Sequence, residues 1–215
     1  MRIAVLGTGE AGRRLGSKLV SLGHEVTLGS RSADNPRAAE WAAGHRSAHG
    51  TFAAAAGGAE LVVNATGGLV SMAALEAAGT ENLRGKVLID VSNPLDFSAG
   101  MPPKVVTPDG GSLAEQIQRA FPETRVVKTL NTMTNTIMVD PGRVPGDHVV
   151  FVCGDDAEAK SVVTGLLRSF GWPEARIVDL GDLTGARATE LVLPLWLRLF
   201  GIFGSADFNF ALPRA

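Results

Sequence analysis

Residues 7–12 read Gly-Thr-Gly-Glu-Ala-Gly, three glycines in the spacing G-x-G-x-x-G. Glycines so placed suit one task, presenting backbone N–H groups to an anion. Gly7 permits a tight turn, Gly9 lets the backbone approach a pyrophosphate, and Gly12 lets the next helix pack close to the strand before it. The helix that starts at Glu10 and Ala11 adds unpaired N–H groups and the positive end of a helix dipole. The spacing alone is a weak signal in a chain with 26 glycines. Its context strengthens it. The turn directly follows the apolar run Ile3-Ala4-Val5-Leu6, it opens a helical pattern, and a second strand arrives at the expected distance. Gly7, Thr8, Gly9, Glu10, Ala11 and Gly12 are therefore expected to bind a dinucleotide, in preference to serving as turns alone.

The end of the second strand selects the dinucleotide. A site for NAD places Asp or Glu roughly 20 residues after the glycines, to hold the ribose 2′-hydroxyl. Here that place holds Gly29-Ser30-Arg31, and no carboxylate follows until Asp34. A hydroxyl and a guanidinium fork suit a 2′-phosphate, which a carboxylate would repel. Arg37, one helical turn on, adds charge. This favours NADP(H) over the alternative in which Arg31 is a solvated surface residue.

Ligands of a doubly wound sheet lie across the carboxyl ends of its strands. That rule points to Asn64-Ala65-Thr66-Gly67-Gly68, Val91-Ser92-Asn93-Pro94 and Thr129-Leu130-Asn131-Thr132-Met133. Thr66 and Gly67 are expected near the ribose and diphosphate, Asn93 and Pro94 near the nicotinamide, and Asn131 joins the cofactor-binding set. For each segment a loop capped by its own Asn or Thr side chain is an equally good reading. Lys128, at a strand end, could polarise a carbonyl, but a lysine there reads first as a snorkelling surface residue. The chain has no tyrosine, and His24, His45, His49 and His148 show no metal spacing. Cys153 reads as an inert core thiol. No catalytic residue and no metal site are assigned.

The elements that must position these residues alternate. Strands are expected at residues 3–6, 25–28, 60–65, 86–91, 125–128, 148–153 and 176–178. Helices are expected at 10–22, 36–44, 70–78 and 156–170, and another begins after Ser112, where Glu115 completes a capping box. Residues 94–111 read as a Pro/Gly-rich loop. Such alternation implies an α/β fold, a doubly wound Rossmann-type sheet, mostly parallel and covered on both faces. Residues 183–203 are apolar on nearly every side of a helix, so that segment is expected to be buried against a partner subunit, a cofactor or both. The expected organisation is a dinucleotide-binding domain over 1–135 and a smaller C-terminal part over 136–215, a helical extension that dimerises and helps form an acceptor site.

Composition agrees. Of 215 residues 45% are apolar and 20% charged, values of an ordinary globular protein and not of a disordered or collagenous chain. A net charge of −2 argues against a nucleic-acid binder. The most apolar stretch is too short for a membrane span and the start lacks the form of a signal peptide, so a cytoplasmic, homodimeric protein with no membrane partner is expected.

Three segments carry a family resemblance: Met1-Arg2-Ile3-Ala4-Val5-Leu6-Gly7-Thr8-Gly9 with Gly12, then Gly23-His24-Glu25-Val26 running to Gly29-Ser30-Arg31, and Val127-Lys128-Thr129-Leu130-Asn131-Thr132. With Val152-Cys153-Gly154-Asp155-Asp156 and the helix from Leu183 through Glu190, they resemble the NADPH:coenzyme F420 oxidoreductase family over nearly the whole chain. Related ferric-reductase NADPH domains share the Gly-Ser-Arg and Lys-x-x-Asn features. The resemblance implies NADP phosphates on Thr8, Gly9, Ser30 and Arg31. It also implies a deazaflavin, coenzyme F420, stacked near the nicotinamide in a cleft closed by the C-terminal segment. Hydride passing directly between two rings needs orientation more than a general acid. The alternatives are reduction of another small-molecule acceptor (flavin, ferric chelate or small imine) and a regulatory protein that senses NADPH without turnover.

Overall fold

The computed structural model describes residues 1–108 and 111–213. In chain order the elements are β1 (Arg2–Leu6), α1 (Glu10–Ser21), β2 (Glu25–Ser30), α2 (Pro36–His45), β3 (Ala48–Thr51), α3 (Phe52–Gly58), β4 (Leu61–Asn64), α4 (Gly68–Ala78), α5 (Thr80–Leu83) and β5 (Val87–Asp90). There follow β6 (Leu95–Asp96), β7 (Lys104–Val105), α6 (Leu113–Ala120), β8 (Arg125–Thr129), α7 (Asn135–Val139), β9 (Val150–Cys153), α8 (Ala157–Phe170), β10 (Ile177–Asp179), α9 (Gly185–Leu191) and α10 (Leu193–Phe203).

Eight strands form one sheet in the order β3-β2-β1-β4-β5-β8-β9-β10. The first six give the order of a dinucleotide-binding fold, all parallel, with its switch point between β1 and β4. β9 runs antiparallel to β8, and β10 is parallel to β9. The α/β reading therefore holds, and the sheet continues into the residues after 135.

The local reasons are visible in the side chains. β4 and β5 are buried along their whole length, each an apolar run of three residues covered on both faces and closed by a buried polar one, Asn64 or Asp90. One core layer joins Ile3, Val5, Leu15, Leu19 and Trp41; the other joins Ala4, Leu6, Phe52, Leu75 and Ile117. Asn35 caps α2 by accepting from the Ala38 N–H at 3.1 Å, and Asp156 caps α8 through the Ala159 N–H at 2.7 Å. The capping box of Ser112 and Glu115 forms at α6.

Several expectations change. The edge strand β3 was hidden in the polar sequence Ala-His-Gly-Thr, and α3 in a run of alanines. Residues 94–111 carry the small antiparallel hairpin β6–β7; residues 109 and 110 of that expected loop lie outside the described residues. His148 precedes β9 and makes only an isolated bridge to Ala211. The apolar segment over 183–203 is two helices, broken at Val192, because Pro194 lacks an N–H and its ring obstructs the preceding turn. The segment's burial within the chain is one-sided: Leu183, Ala186 and Leu193 are covered, whereas Leu191, Leu195, Ile202 and Phe203 are 52–64% exposed. Among the described residues no helix is long and apolar enough to cross a membrane.

Candidate dinucleotide site

The carboxyl ends of β2, β1, β4, β5 and β8 bring the expected residues into one continuous row. The Gly7 N–H donates to the Gly29 carbonyl at 2.9 Å, which sets the glycine turn beside Ser30 and Arg31. Across the switch point, the Ala65 N–H donates to the Leu6 carbonyl at 2.9 Å. The Gly68 N–H then reaches the Asn93 carbonyl at 3.1 Å. Asn93 and Asn131 exchange bonds: the Asn93 amide donates to the Asn131 carbonyl at 2.7 Å, and the Asn131 amide to the Asn93 Oδ1 at 3.0 Å.

The glycine turn fits a pyrophosphate by a direct steric test. Gly7 has φ +120°, and a Cβ there would stand 2.5 Å from the Ala65 carbonyl oxygen. A Cβ on Gly12 would stand 2.1 Å from the Gly7 carbonyl oxygen. A Cβ on Gly9, in contrast, would meet no protein atom within 4 Å. Space for a side chain at Gly9 is therefore available within the chain, as expected where the close neighbour is a ligand. Gly9 precedes α1 and Gly67 precedes α4, and neither helix start carries a side-chain cap. Two helix N-termini without side-chain caps thus flank the crevice, although the Gly68 N–H of α4 is taken by Asn93. On the first turn of α1, Glu10 pairs with Arg13.

At the other end, Ser30 is 3% exposed and its hydroxyl donates to the Ser32 carbonyl at 2.5 Å, leaving oxygen lone pairs only. Arg31 and Arg37 are exposed, and among the described residues neither forms an ion pair. Thr66 turns inward: its hydroxyl bonds the Asn64 Oδ1 at 2.7 Å and the Ser71 hydroxyl at 2.9 Å. Pro94 is buried behind Asn93.

Lys128 is not the snorkelling surface residue expected at a strand end. Its side chain is fully buried, and Nζ lies 2.8 Å from Asp90 Oδ2, 2.9 Å from Glu190 Oε1 and 2.6 Å from the Ser92 carbonyl. Those contacts use all three donors of an ammonium group, so none is left to polarise a carbonyl. Burial acts to lower the pKa of Lys128, but the two carboxylates outweigh it and hold the amine charged, with its pKa raised. Asp90 Oδ1 accepts from Asn64 and Ser92 at 2.9 and 2.7 Å. Glu190, fully buried, also accepts the Leu113 and Ala114 N–H groups at the start of α6, at 2.8 and 3.2 Å. The sequence gives Asp90 no role, Ser92 only a place in the segment 91–94, and Glu190 only a place in the C-terminal helix of the family resemblance. The available signal was an acid closing the apolar run Val-Leu-Ile and another inside an apolar C-terminal segment. Leu130, next in the chain but one, is buried with φ +63°, strained backbone for a branched residue. Cys153 is buried, and loss of solvent pushes its thiol up to about 12, which leaves it unreactive.

A sequence profile for NADP oxidoreductases, coenzyme F420-dependent, matches residues 2–94. The F420-dependent NADP reductase of Methanothermobacter marburgensis is 30% identical over 210 residues, 93% of this chain and 92% of that one. The chain belongs to this family of NADP oxidoreductases. A crystal structure of a candidate F420-dependent NADP-reductase from Arthrobacter sp. FB24 is 54% identical, covers all of both chains and superposes with a TM-score of 0.94. The F420-dependent NADP reductase of Methanocaldococcus jannaschii is 32% identical over 120 residues, 55% of this chain and about half (52%) of that one. Rat metalloreductase STEAP3 is 31% identical over 207 residues, 91% of this chain and 38% of the much longer rat protein.

Proposed function

We propose that this family member transfers hydride between NADP(H) and coenzyme F420. The observation that carries the reading is the unbroken row from Ser30–Arg31 through the glycine turn to Asn93, with no carboxylate where a 2′-phosphate would lie. In this reading Ser30, Arg31 and Arg37 hold the 2′-phosphate. The turn over 7–12 binds the pyrophosphate, with Thr66 and Gly67 beside the ribose and diphosphate. Asn93 and Pro94 flank the nicotinamide, and Asn131 holds Asn93 in place. Bound NADPH supplies the hydride. What the chain contributes is orientation and exclusion of water, which can lower the barrier by about 7–11 kcal/mol when two reactants are held in register.

The part over 136–215 is assigned the acceptor side. A homodimer is assigned as well, because α9 and α10 present Leu191, Leu195, Ile202 and Phe203 uncovered. A cytoplasmic setting suits a single buried thiol.

The test is direct. Purified protein is mixed with NADPH and F420, and loss of the oxidised deazaflavin absorbance is followed. Bleaching supports the proposal. NADPH consumption only with free flavin, a ferric chelate or a small imine replaces F420 with another acceptor, a second reading favoured by the similarity to a metalloreductase over 207 residues. Binding without turnover on any acceptor would overturn both.

A further inference from the structure

Lys128, Asp90 and Glu190 lie behind the crevice and belong to three distant stretches of chain. The register aligns Asn64, Asp90, Lys128 and Cys153 as neighbours across β4, β5, β8 and β9. Three of those four are polar, in the middle of a buried sheet. Burying two carboxylates and one ammonium is not an economical way to gain stability, since apolar residues of like volume do as well or better. Such a cluster fixes geometry instead.

The geometry it fixes is that of Asn93. Asp90 Oδ1 accepts from the Ser92 N–H at 3.2 Å and from the Ser92 hydroxyl at 2.7 Å, while Lys128 holds the Ser92 carbonyl at 2.6 Å. Every polar group of Ser92 is thus tied to the charged cluster, one bond before Asn93. A second tie comes from the same helix as Glu190: the Asn131 amide, which holds the Asn93 Oδ1, also donates to the Thr189 carbonyl at 2.9 Å. Two consecutive residues of α9, Thr189 and Glu190, therefore reach the Ser92–Asn93 peptide by independent routes.

We infer that Lys128 and Glu190 form a positioning pair that holds the Ser92–Asn93 peptide against the nicotinamide ring, making α9 part of the hydride-transfer geometry. The inference rests on the reading of the crevice as the NADP(H) site. Neither residue touches a reacting atom; both act through Asn93. The adenosine end, anchored on Ser30 and Arg31 at the far side of the row, is untouched by the pair. Loosening the pair thus releases the ring and leaves affinity in place. A misplacement of about 1 Å can lower the rate by about 100-fold, so a partial loosening of the peptide is expected to cost on the order of ten-fold.

The experiment compares wild type with Glu190→Gln and, because a buried charge is altered there, with Asn131→Ala, which cuts the second tie without changing any charge. Calorimetry reads NADPH affinity, and the fluorescence of bound NADPH reads how firmly the dihydronicotinamide is held, with no acceptor present. F420 reduction is then followed with NADPH and with NADPH deuterated at C4. The expected result in either variant is a dissociation constant within about two-fold of wild type, fluorescence enhancement at least halved, and kcat down about ten-fold with a larger isotope effect. A lowered melting temperature with fluorescence, kcat and isotope effect all unchanged would make the pair merely structural and overturn the inference. If Glu190→Gln does not fold, Glu190→Asp, which keeps the charge but shortens the reach to Lys128, decides by the same readings. Failure of wild type to bind NADPH would instead overturn the reading of the crevice, a result visible before any variant is made.

Discussion

Replacing Arg31 with alanine removes the guanidinium assigned to the 2′-phosphate. Arg31 is exposed, and among the described residues it has no acidic partner. Its loss therefore leaves no protein charge unpaired, and the fold should be indifferent to it. What is lost on binding is one charge-assisted hydrogen bond, worth about 1.5–3 kcal/mol. At roughly 1.4 kcal/mol per ten-fold change that is a ten- to hundred-fold effect. Exposure to water and salt places this contact at the lower end, so we expect the KM for NADPH to rise about ten-fold. NADH carries no 2′-phosphate and its KM should stay within about two-fold, so the preference for NADPH over NADH falls by nearly the same factor of about ten. Steady-state kinetics with both nucleotides at two ionic strengths measures this, and the wild-type NADPH KM should rise with salt more steeply than that of the variant. An unchanged NADPH/NADH ratio in the variant, with both nucleotides still used, would refute the assignment of Arg31.

The glycine turn separates ligand from fold in one pair of variants. Gly9→Ala should keep the wild-type melting temperature, because its Cβ meets no protein atom within 4 Å, yet weaken NADPH binding; unchanged affinity would contradict a pyrophosphate at Gly9. Gly12→Ala should lower the melting temperature as well, because its Cβ falls 2.1 Å from the Gly7 carbonyl oxygen. Lys128→Met should destabilise by about 3–5 kcal/mol in urea unfolding, since two buried carboxylates lose their counter-ion. The Arg187 guanidinium donates to Glu115 and holds its carboxyl down at about 2, with Ser112 assisting. That contribution is present above the ordinary value of 4.5 and is lost as pH falls toward about 2, so the difference in melting temperature between wild type and Glu115→Gln should shrink over that window. The Cys153 thiol, pushed up to about 12 by burial, should resist iodoacetamide in the native protein at pH 8 and react after unfolding; mass spectrometry decides.

Local order settled much of this molecule before any folding. The alternation of buried apolar runs with helical patterns specified the parallel sheet, since a strand covered on both faces is built on a continuous apolar run, as Leu61–Val63 and Val87–Ile89 are. The glycine turn and its closeness to Ser30 and Arg31 were legible because that placement follows from short-range backbone geometry within one βαβ unit. Ser112 and Glu115 were legible for the same reason, a cap closing over three residues. Asp90, Lys128 and Glu190 were not. Each is an ordinary charged residue in its own segment, and only strand register and the return of α9 bring both carboxylates within 2.9 Å of the Lys128 Nζ. Lys128 read as a surface residue because the sequence shows where a strand ends but not what covers that end. The apolar α9–α10 segment was legible as a surface needing cover, while the break at Val192 and the exposure of one side appeared only in three dimensions. Chain order thus determined the central strands and helices and the glycine turn, whose physics is local; tertiary structure alone decided which buried charges meet, because that depends on contacts 38 or more residues apart.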